Sequence, residues 1–400
     1  MAENYRTLTV PSVVEYVRQI PGLFAQGAKL SAKEVGDGNL NLVFIIKDDV
    51  TGKSVVLKQA LPYARVVGES MPLTVDRSRI ESEALQVQAK LCPEYTPRIF
   101  HVDHGMSLFV MEDLSDYKIM RKGLIEKNAY PHFAEQISEF LAKTLFYTSD
   151  LYLPPFAKKE NVGKFINPEL CKISEDLIFT QPYYDAPENN IPEEIAADVA
   201  ALWDNEPLKL EVAKLKYHFM TRADALLHGD LHTGSIFIKE DALKVIDPEF
   251  AYYGPMGFDI GAVLANLLLN YCAQEGWADH AQELREVRER LLSMIADIWL
   301  KFDAKFRRLM LSECKDYIFS RPGFQDIYLS YVFAETVGFA GCKMIRRIHG
   351  LAHVADIDQI PDAAKRASAQ RLALKIGQLL IMKREKIANV EMLTEMIKGV

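Results

Sequence analysis

The chain has 400 residues, 49% of them hydrophobic and 26% charged, with a formal net charge of −8. That length is ample for two lobes, and the acidic balance argues against nucleic acid as a partner, because binding a phosphate backbone needs clustered Lys and Arg. Cys92, Cys171, Cys272, Cys314 and Cys342 are odd in number and form no C-x-x-C pair, which excludes the usual patterns of a zinc site or a disulfide framework.

The N-terminus, "MAENYRTLTVPSVVEYV", lacks a basic stretch followed by an apolar core, so no signal peptide is expected. Residues 11–19 read as a short helix opened by Pro11 and closed before Pro21–Gly22. Next, "VGDGNLNLVFIIKDDVTGKSVVLKQA" carries two apolar runs, Leu42–Ile46 and Val55–Leu57, around a polar turn at Asp48–Gly52. This predicts a β-hairpin whose second strand ends on Lys58. In residues 76–91, Ile80, Ala84, Val87 and Leu91 form one helical face. "SLFVMEDLS" reads as a strand leaving into a linker near Leu114–Asp116.

From about residue 130 the pattern is mainly helical: 131–149, 193–203, 206–225, most of 257–313, 326–349 and 362–399. The exception is "SIFIKEDALKVIDPEF", a second hairpin turning at Glu240–Asp241–Ala242. The longest apolar run, "IGAVLANLLLNYCA", is interrupted by Asn266 and Asn270 and is shorter than the roughly 18–20 residues that span a bilayer. A buried helix is expected there, and a cytoplasmic protein with no membrane association. The sum is an α+β, bilobal protein: a smaller β-rich N-terminal lobe at 1–113 and a larger helical lobe at 114–400.

Asp230 precedes the second hairpin, in "HGDLHTGS", and Asp247 and Glu249 follow it, in "IDPEF". A hairpin brings its ends together, so three carboxylates are expected to converge. Alone, each reads as a solvated turn residue; together they repel and need a cation. Mg²⁺ takes oxygen ligands, commonly one or two carboxylates plus substrate phosphates. Asp247 and Glu249 are therefore candidate metal ligands, and Asp230 a candidate base for a substrate hydroxyl. Lys58 closes a strand before a carboxylate-bearing helix, the order in which kinase-type phosphotransferases place a phosphate-binding Lys and its Glu partner. Glu81 and Glu83 flank the apolar face on opposite sides, and periodicity does not choose between them. The "GDGNLN" turn, with Gly38 and Asn39, can cover phosphates with backbone N–H groups. As a motif it is weak, being neither G-x-G-x-x-G nor a turn followed by G-K-[ST].

Together "LLHGDLHTGSIFI", "VIDPEFA" and "GPMGFDIGAVLANLLL" resemble the aminoglycoside phosphotransferase and choline kinase branch of the protein-kinase-like fold. "GDGNLNLVF", "LKQALPYARVVGES", "HGDLHTGS", "DPEFAYYGPMGFDIG" and "MIRRIHG" make the chain similar to the 5-methylthioribose kinase family within that branch, over about residues 20–350. The resemblance implies ATP in the cleft between lobes, Mg²⁺, 5-methylthioribose as the small-molecule substrate, a place in methionine salvage, and a homodimer.

Residue by residue, the resemblance makes Asp230 catalytic and the Asp247–Glu249 D-x-E pair the metal site. It makes Lys58 the phosphate-binding Lys, favours Glu81 as its partner, and sets Glu112, Asp113 and Leu114 against adenine. It gives Asp259 the task of steadying the catalytic loop and places Arg346 and Arg347 at the sugar.

Adjacent Arg residues on a helix project about 100° apart, so both can enter one pocket only at a helix end or bend, and Gly350 supports an end. One Arg then bonds sugar hydroxyls while the other offsets transition-state charge or fixes Asp230. His228 reads as a brace for the loop, and His349 and His353 as packing or surface residues; His232 receives no role. Two departures stand out. Ser235 occupies the position, five residues after the catalytic Asp, where phosphotransferase loops commonly carry Asn. Met71 occupies a lid position where Trp is usual. The Arg pair argues against the polycationic aminoglycosides and against choline as substrates. Ser235 is the best support for the remaining alternative, a catalytically dead nucleotide-binding module.

Overall fold

The structure, a computed structural model, describes residues 5–36, 40–64 and 68–400. Helix α1 (Val10–Arg18) starts at Thr9, whose hydroxyl accepts from the Ser12 amide, with Pro11 in the first turn. A five-stranded antiparallel sheet follows, in the order β1-β2-β3-β7-β6. Its strands are β1 (Leu30–Val35), β2 (Asn41–Asp48), β3 (Ser54–Ala60), β6 (Ile99–Asp103) and β7 (Leu108–Glu112). A short ribbon, β4 (Tyr63–Ala64) with β5 (Gly68–Pro72), leads into α2 (Arg77–Leu91).

The alternation of β3 decides the use of both faces. Val55 and Leu57 pack with Val13 and Val17 of α1, and Val56 packs with Leu85 of α2. Lys58, in register with Val43 and Phe109, therefore faces α2.

The second part of the chain is mainly helical. Strand β8 (Lys118–Ile119) and α3 (Met120–Ile125) precede α4 (Phe133–Tyr147), α5 (Pro155–Lys164), α6 (Pro168–Phe179), α7 (Ala196–Trp203) and α8 (Glu206–Thr221). Four short strands follow: β9 (Ala225–Leu226), β10 (Ile236–Ile238), β11 (Leu243–Val245) and β12 (Tyr253–Gly254). Then come α9 (Gly257–Trp277), α10 (Ala281–Glu313), α11 (Phe324–His349), α12 (Ala355–Asp358), α13 (Ala363–Lys383) and α14 (Val390–Lys398).

Helix α9 is buried from Gly257 to Gln274 and packs on α11 and α13. A Cβ on Gly261 would lie 2.7 Å from the Thr336 carbonyl, so glycine sets how closely α9 and α11 approach. Among the described residues, no helix is long and apolar enough to cross a membrane, and all five cysteines are free.

One expectation needs correction, and two helices go beyond the sequence pattern. The helix expected at 206–225 stops at Thr221, and Ala225–Leu226 pairs with Tyr253–Gly254 instead; a long-range strand pairing overrides local helix propensity. Helices α5 and α6 lie outside the helical stretches read from the sequence; both begin with Pro in the first turn, and α5 has a charged, weakly segregated surface. The apolar residues of α13 and α14 are covered internally: Leu374, Leu380, Ile381, Val390, Leu393 and Ile397 all join the main core.

Candidate active site

Two small sheets frame the site. Strand β9 pairs with β12, and β10 pairs with β11 and β8. The loops 227–235 and 246–252 both run between these sheets, which holds them side by side. Gly229 has φ 85°, and a Cβ there would sit 2.1 Å from the Phe250 carbonyl, so only glycine lets the two loops approach this closely.

On the sheet side, Lys58 Nζ lies 2.8 Å from Glu81 Oε1 and also bonds Asp247 Oδ1. Glu83, the other helix candidate, pairs with Arg79 and Lys164 instead. The two glutamates separate because Glu81 shares with Leu85 the face of α2 that meets the sheet. Asp247 holds a positive φ of 71°, a costly conformation for a residue with a Cβ and one that clusters at functional sites. Glu249 is buried; its Oε2 accepts from Asn41 Nδ2 at 2.9 Å and lies 3.5 Å from Arg77 Nε.

Carboxylate oxygens of Glu81, Asp247 and Glu249 lie within 4.8 Å of one another. The third member of the cluster is thus Glu81; Asp230, expected to join Asp247 and Glu249, pairs instead with cations of α11. Burial raises the carboxyl pKa of Glu81 and of Glu249 against the opposing charge of Lys58. Burial alone would lower Lys58, but Asp247, Glu81 and Glu249 outweigh it and keep the ammonium charged. Three carboxylates face Lys58 and Arg77 and offer only hard oxygen donors. That set fits a divalent cation such as Mg²⁺.

The segment expected against adenine leaves the sheet at the end of β7. Glu112 stands opposite Val55, Asp113 Oδ1 accepts from the Ser115 amide at 2.9 Å, and buried Leu114 accepts from the Tyr117 amide at 2.9 Å. Gly38 and Asn39 of the expected phosphate turn lie outside the described residues, as does the Met71 side chain.

Asp259, on the first turn of α9, accepts the amides of His228 at 2.6 Å and Gly229 at 3.0 Å. His228 Nε2 donates to the Ile246 carbonyl at 2.8 Å, so Nδ1 accepts from the Asp230 amide at 3.3 Å. His232 Nδ1 accepts the amides of Gly234 and Ser235, each at 3.1 Å, and its Nε2 lies 3.5 Å from Asp230 Oδ2. The Ser235 hydroxyl lies 3.2 Å from His232 Nδ1 and 3.4 Å from the Asp230 carbonyl, and its own carbonyl accepts from the Ile246 amide. Ser235 thus braces the loop and ties it to the carboxylate segment.

Asp230 Oδ1 lies 3.6 Å from Lys343 Nζ and 3.8 Å from Arg346 Nη2, both on α11. Burial would raise the Asp230 carboxyl, but His232, Lys343, Arg346 and Arg347 together hold it well below the usual carboxylate range. The Arg pair is divided. Arg346 faces Asp230, whereas Arg347 Nη1 bonds the carbonyls of Ala352 and His353, each at 3.3 Å, just beyond the end of α11.

Arg121 of α3 adds a further cation: its Nη2 bonds Asn266 at 3.2 Å and its Nε lies 3.5 Å from Asp356. Asn266 also accepts from Thr233 at 3.1 Å, and Asn270 donates to Asp356 at 2.8 Å. The two Asn that interrupt the apolar run of α9 therefore serve this site. His349 is buried with Nε2 on the Pro182 carbonyl, and His353 Nε2 meets the Asn190 carbonyl.

Sequence reasoning missed Lys343, Arg121, Asn41 and Arg77. The spacing of Lys343 with Arg346 and Arg347, three and four residues apart, is the one local signal that could have found any of them.

A model of the phosphotransferase enzyme family matches residues 31–291. A methylthioribose kinase of Cronobacter sakazakii is 49% identical over 388 residues, 97% of this chain and 97% of that protein. One of Geobacillus kaustophilus is 49% identical over 387 residues, 97% of this chain and 95% of its own. Among solved structures, a choline kinase from Cryptosporidium parvum Iowa II is 14% identical with a TM-score of 0.47, over 97% of each chain. The chain belongs to the phosphotransferase enzyme family and, within it, to the methylthioribose kinases.

Proposed function

We propose that this protein transfers the γ-phosphoryl group of ATP to the anomeric hydroxyl of 5-methylthioribose, giving 5-methylthioribose 1-phosphate, a step of methionine salvage. Near-full-length likeness to methylthioribose kinases carries the substrate assignment. The Asp230 carboxylate, kept anionic among cations of α11, supports the chemistry.

Asp230 orients the sugar hydroxyl and accepts its proton as the oxygen attacks phosphorus, the bond to the β–γ bridging oxygen breaks, and ADP leaves. Arg346 bonds sugar hydroxyls beside Asp230, and Arg347 adds positive charge at the helix end. Asp259 and His228 keep the loop rigid. Lys58, held by Glu81, takes ATP phosphates, and adenine lies against Glu112–Leu114. Asp247 and Glu249 would hold Mg²⁺, which when bound would neutralise phosphate charge. We take the lobes to divide at 113/114, with nucleotide between them.

The protein works in the cytoplasm as a homodimer; exposed Tyr217 and Met220 of α8 and Ile327 and Tyr331 of α11 supply apolar surface for such a contact. The test is ADP release with methylthioribose against choline, homoserine and an aminoglycoside. Methylthioribose should win by on the order of 100-fold in kcat/KM; equal rates with another alcohol would sink the assignment. Asp230→Ala should lose about 10³-fold in turnover with ATP still bound, and near-wild-type rates would remove Asp230 as the base.

A further inference from the structure

The scheme just given uses Lys343 only as one of the cations around Asp230. It is 4% exposed, and its Nζ has no hydrogen-bond partner among the described residues. Three unmade donors on a buried ammonium are costly, and an apolar residue of similar length would fill the space without that cost.

Two groups flank the ammonium. The Phe258 ring centroid lies 3.9 Å away, and Asp230 Oδ1 lies 3.6 Å away. Asp259, the other nearby carboxylate, already spends both oxygens on the His228 and Gly229 amides. The electron-rich ring seats the cation on one side, and the side that remains meets Asp230.

We propose that Lys343 is a positioning residue for phosphoryl transfer, acting through Asp230: its ammonium, backed by the Phe258 ring, fixes the catalytic carboxylate beside the sugar hydroxyl. This rests on the kinase reading of the site. The charged groups that act on Lys343 are Asp230 of the catalytic loop, Arg346 and Arg347 of α11, and Asp259 of α9; His232 also faces Asp230. Burial lowers the Lys343 ammonium to about 8, so it keeps its proton at neutral pH.

Lys343→Met retains the apolar stem against Phe258 and removes the charge. Turnover should fall about 10- to 100-fold, with KM for ATP within about twofold. The alkaline fall of wild-type kcat/KM near pH 8, where the Lys343 ammonium is lost, should be absent from Lys343→Met. The infrared carboxylate stretch of Asp230 at neutral pH, taken as the difference between each background and its own Asp230→Asn variant, should shift when the ammonium is removed.

That band reads the carboxylate whatever alcohol is the substrate, so it separates failure of this proposal from failure of the substrate assignment. An unmoved Asp230 band in a folded Lys343→Met protein overturns the proposal, whether turnover is normal or lost. Should the Met variant prove insoluble, Lys343→Gln, also uncharged, is read by the same two criteria.

Discussion

Replacing Arg77 by methionine tests whether a side chain outside the expected set of site residues organises the nucleotide side of the site. Arg77 is fully buried. Its Nη1 donates to the carbonyls of Leu61 at 2.8 Å and Thr74 at 2.7 Å. Its Nη2 donates to the Leu40 carbonyl at 2.6 Å and to Asn41 Oδ1 at 3.1 Å. Asn41 in turn holds Glu249, which Arg77 Nε approaches at 3.5 Å. One guanidinium thus ties together the start of β2, the entry to α2 and a candidate metal carboxylate.

Removing one partner of a buried charge pair costs about 3–5 kcal/mol. The bonds orphaned here are not additive, so a loss of about 4 kcal/mol is expected in denaturant unfolding. Loss of the groups that orient a ligand should also weaken Mg²⁺-dependent nucleotide binding about 10- to 100-fold by calorimetry. Arg79→Met is the control: its pairs with Asp76 and Glu83 are partly exposed and should be worth under about 1 kcal/mol. An Arg77→Met protein as stable as the control variant, with wild-type nucleotide affinity, would refute the reasoning.

Gly229→Ala should give little folded, active enzyme, because the added methyl meets the Phe250 carbonyl and φ is positive; expression and turnover report it. Asp259→Asn should lower kcat about 10- to 100-fold with nucleotide affinity unchanged, since one amide partner of the loop that carries Asp230 is lost. Lys343 also predicts a pH dependence of stability. Its ordinary value of 10.5 is lowered to about 8 in the fold, so the unfolded chain binds the extra proton between those values. Wild-type stability, relative to Lys343→Met, should therefore rise by about 3 kcal/mol from pH 8 to 10.5 and stay flat below 8. A flat difference across that window would show that burial does not lower the Lys343 ammonium.

Much of the architecture is legible in short stretches, because periodicity, turn chemistry and caps act over a few residues. The hairpin that carries Lys58, the α2 stripe and the Asp247–Glu249 segment after a second hairpin are of this kind, although the first hairpin's second strand runs on to Ala60 and does not end on Lys58. Where a local preference and a distant partner disagreed, the partner prevailed: Ala225 and Leu226 left the helical pattern to pair with Tyr253 and Gly254.

By itself, the sequence determined the residue types of the site and their order along the chain. Tertiary structure decided which of them meet. Glu81 rather than Glu83 reaches Lys58 because of the face α2 turns to the sheet. Asp230 stands with Lys343 and Arg346, apart from the Glu81–Asp247–Glu249 cluster, because α9 and α11 pack closely enough to bring residues more than 100 positions apart into contact. Local periodicity carries no information about such pairs. Their distances are set by how buried helices and strands pack, and that packing is a property of the whole chain.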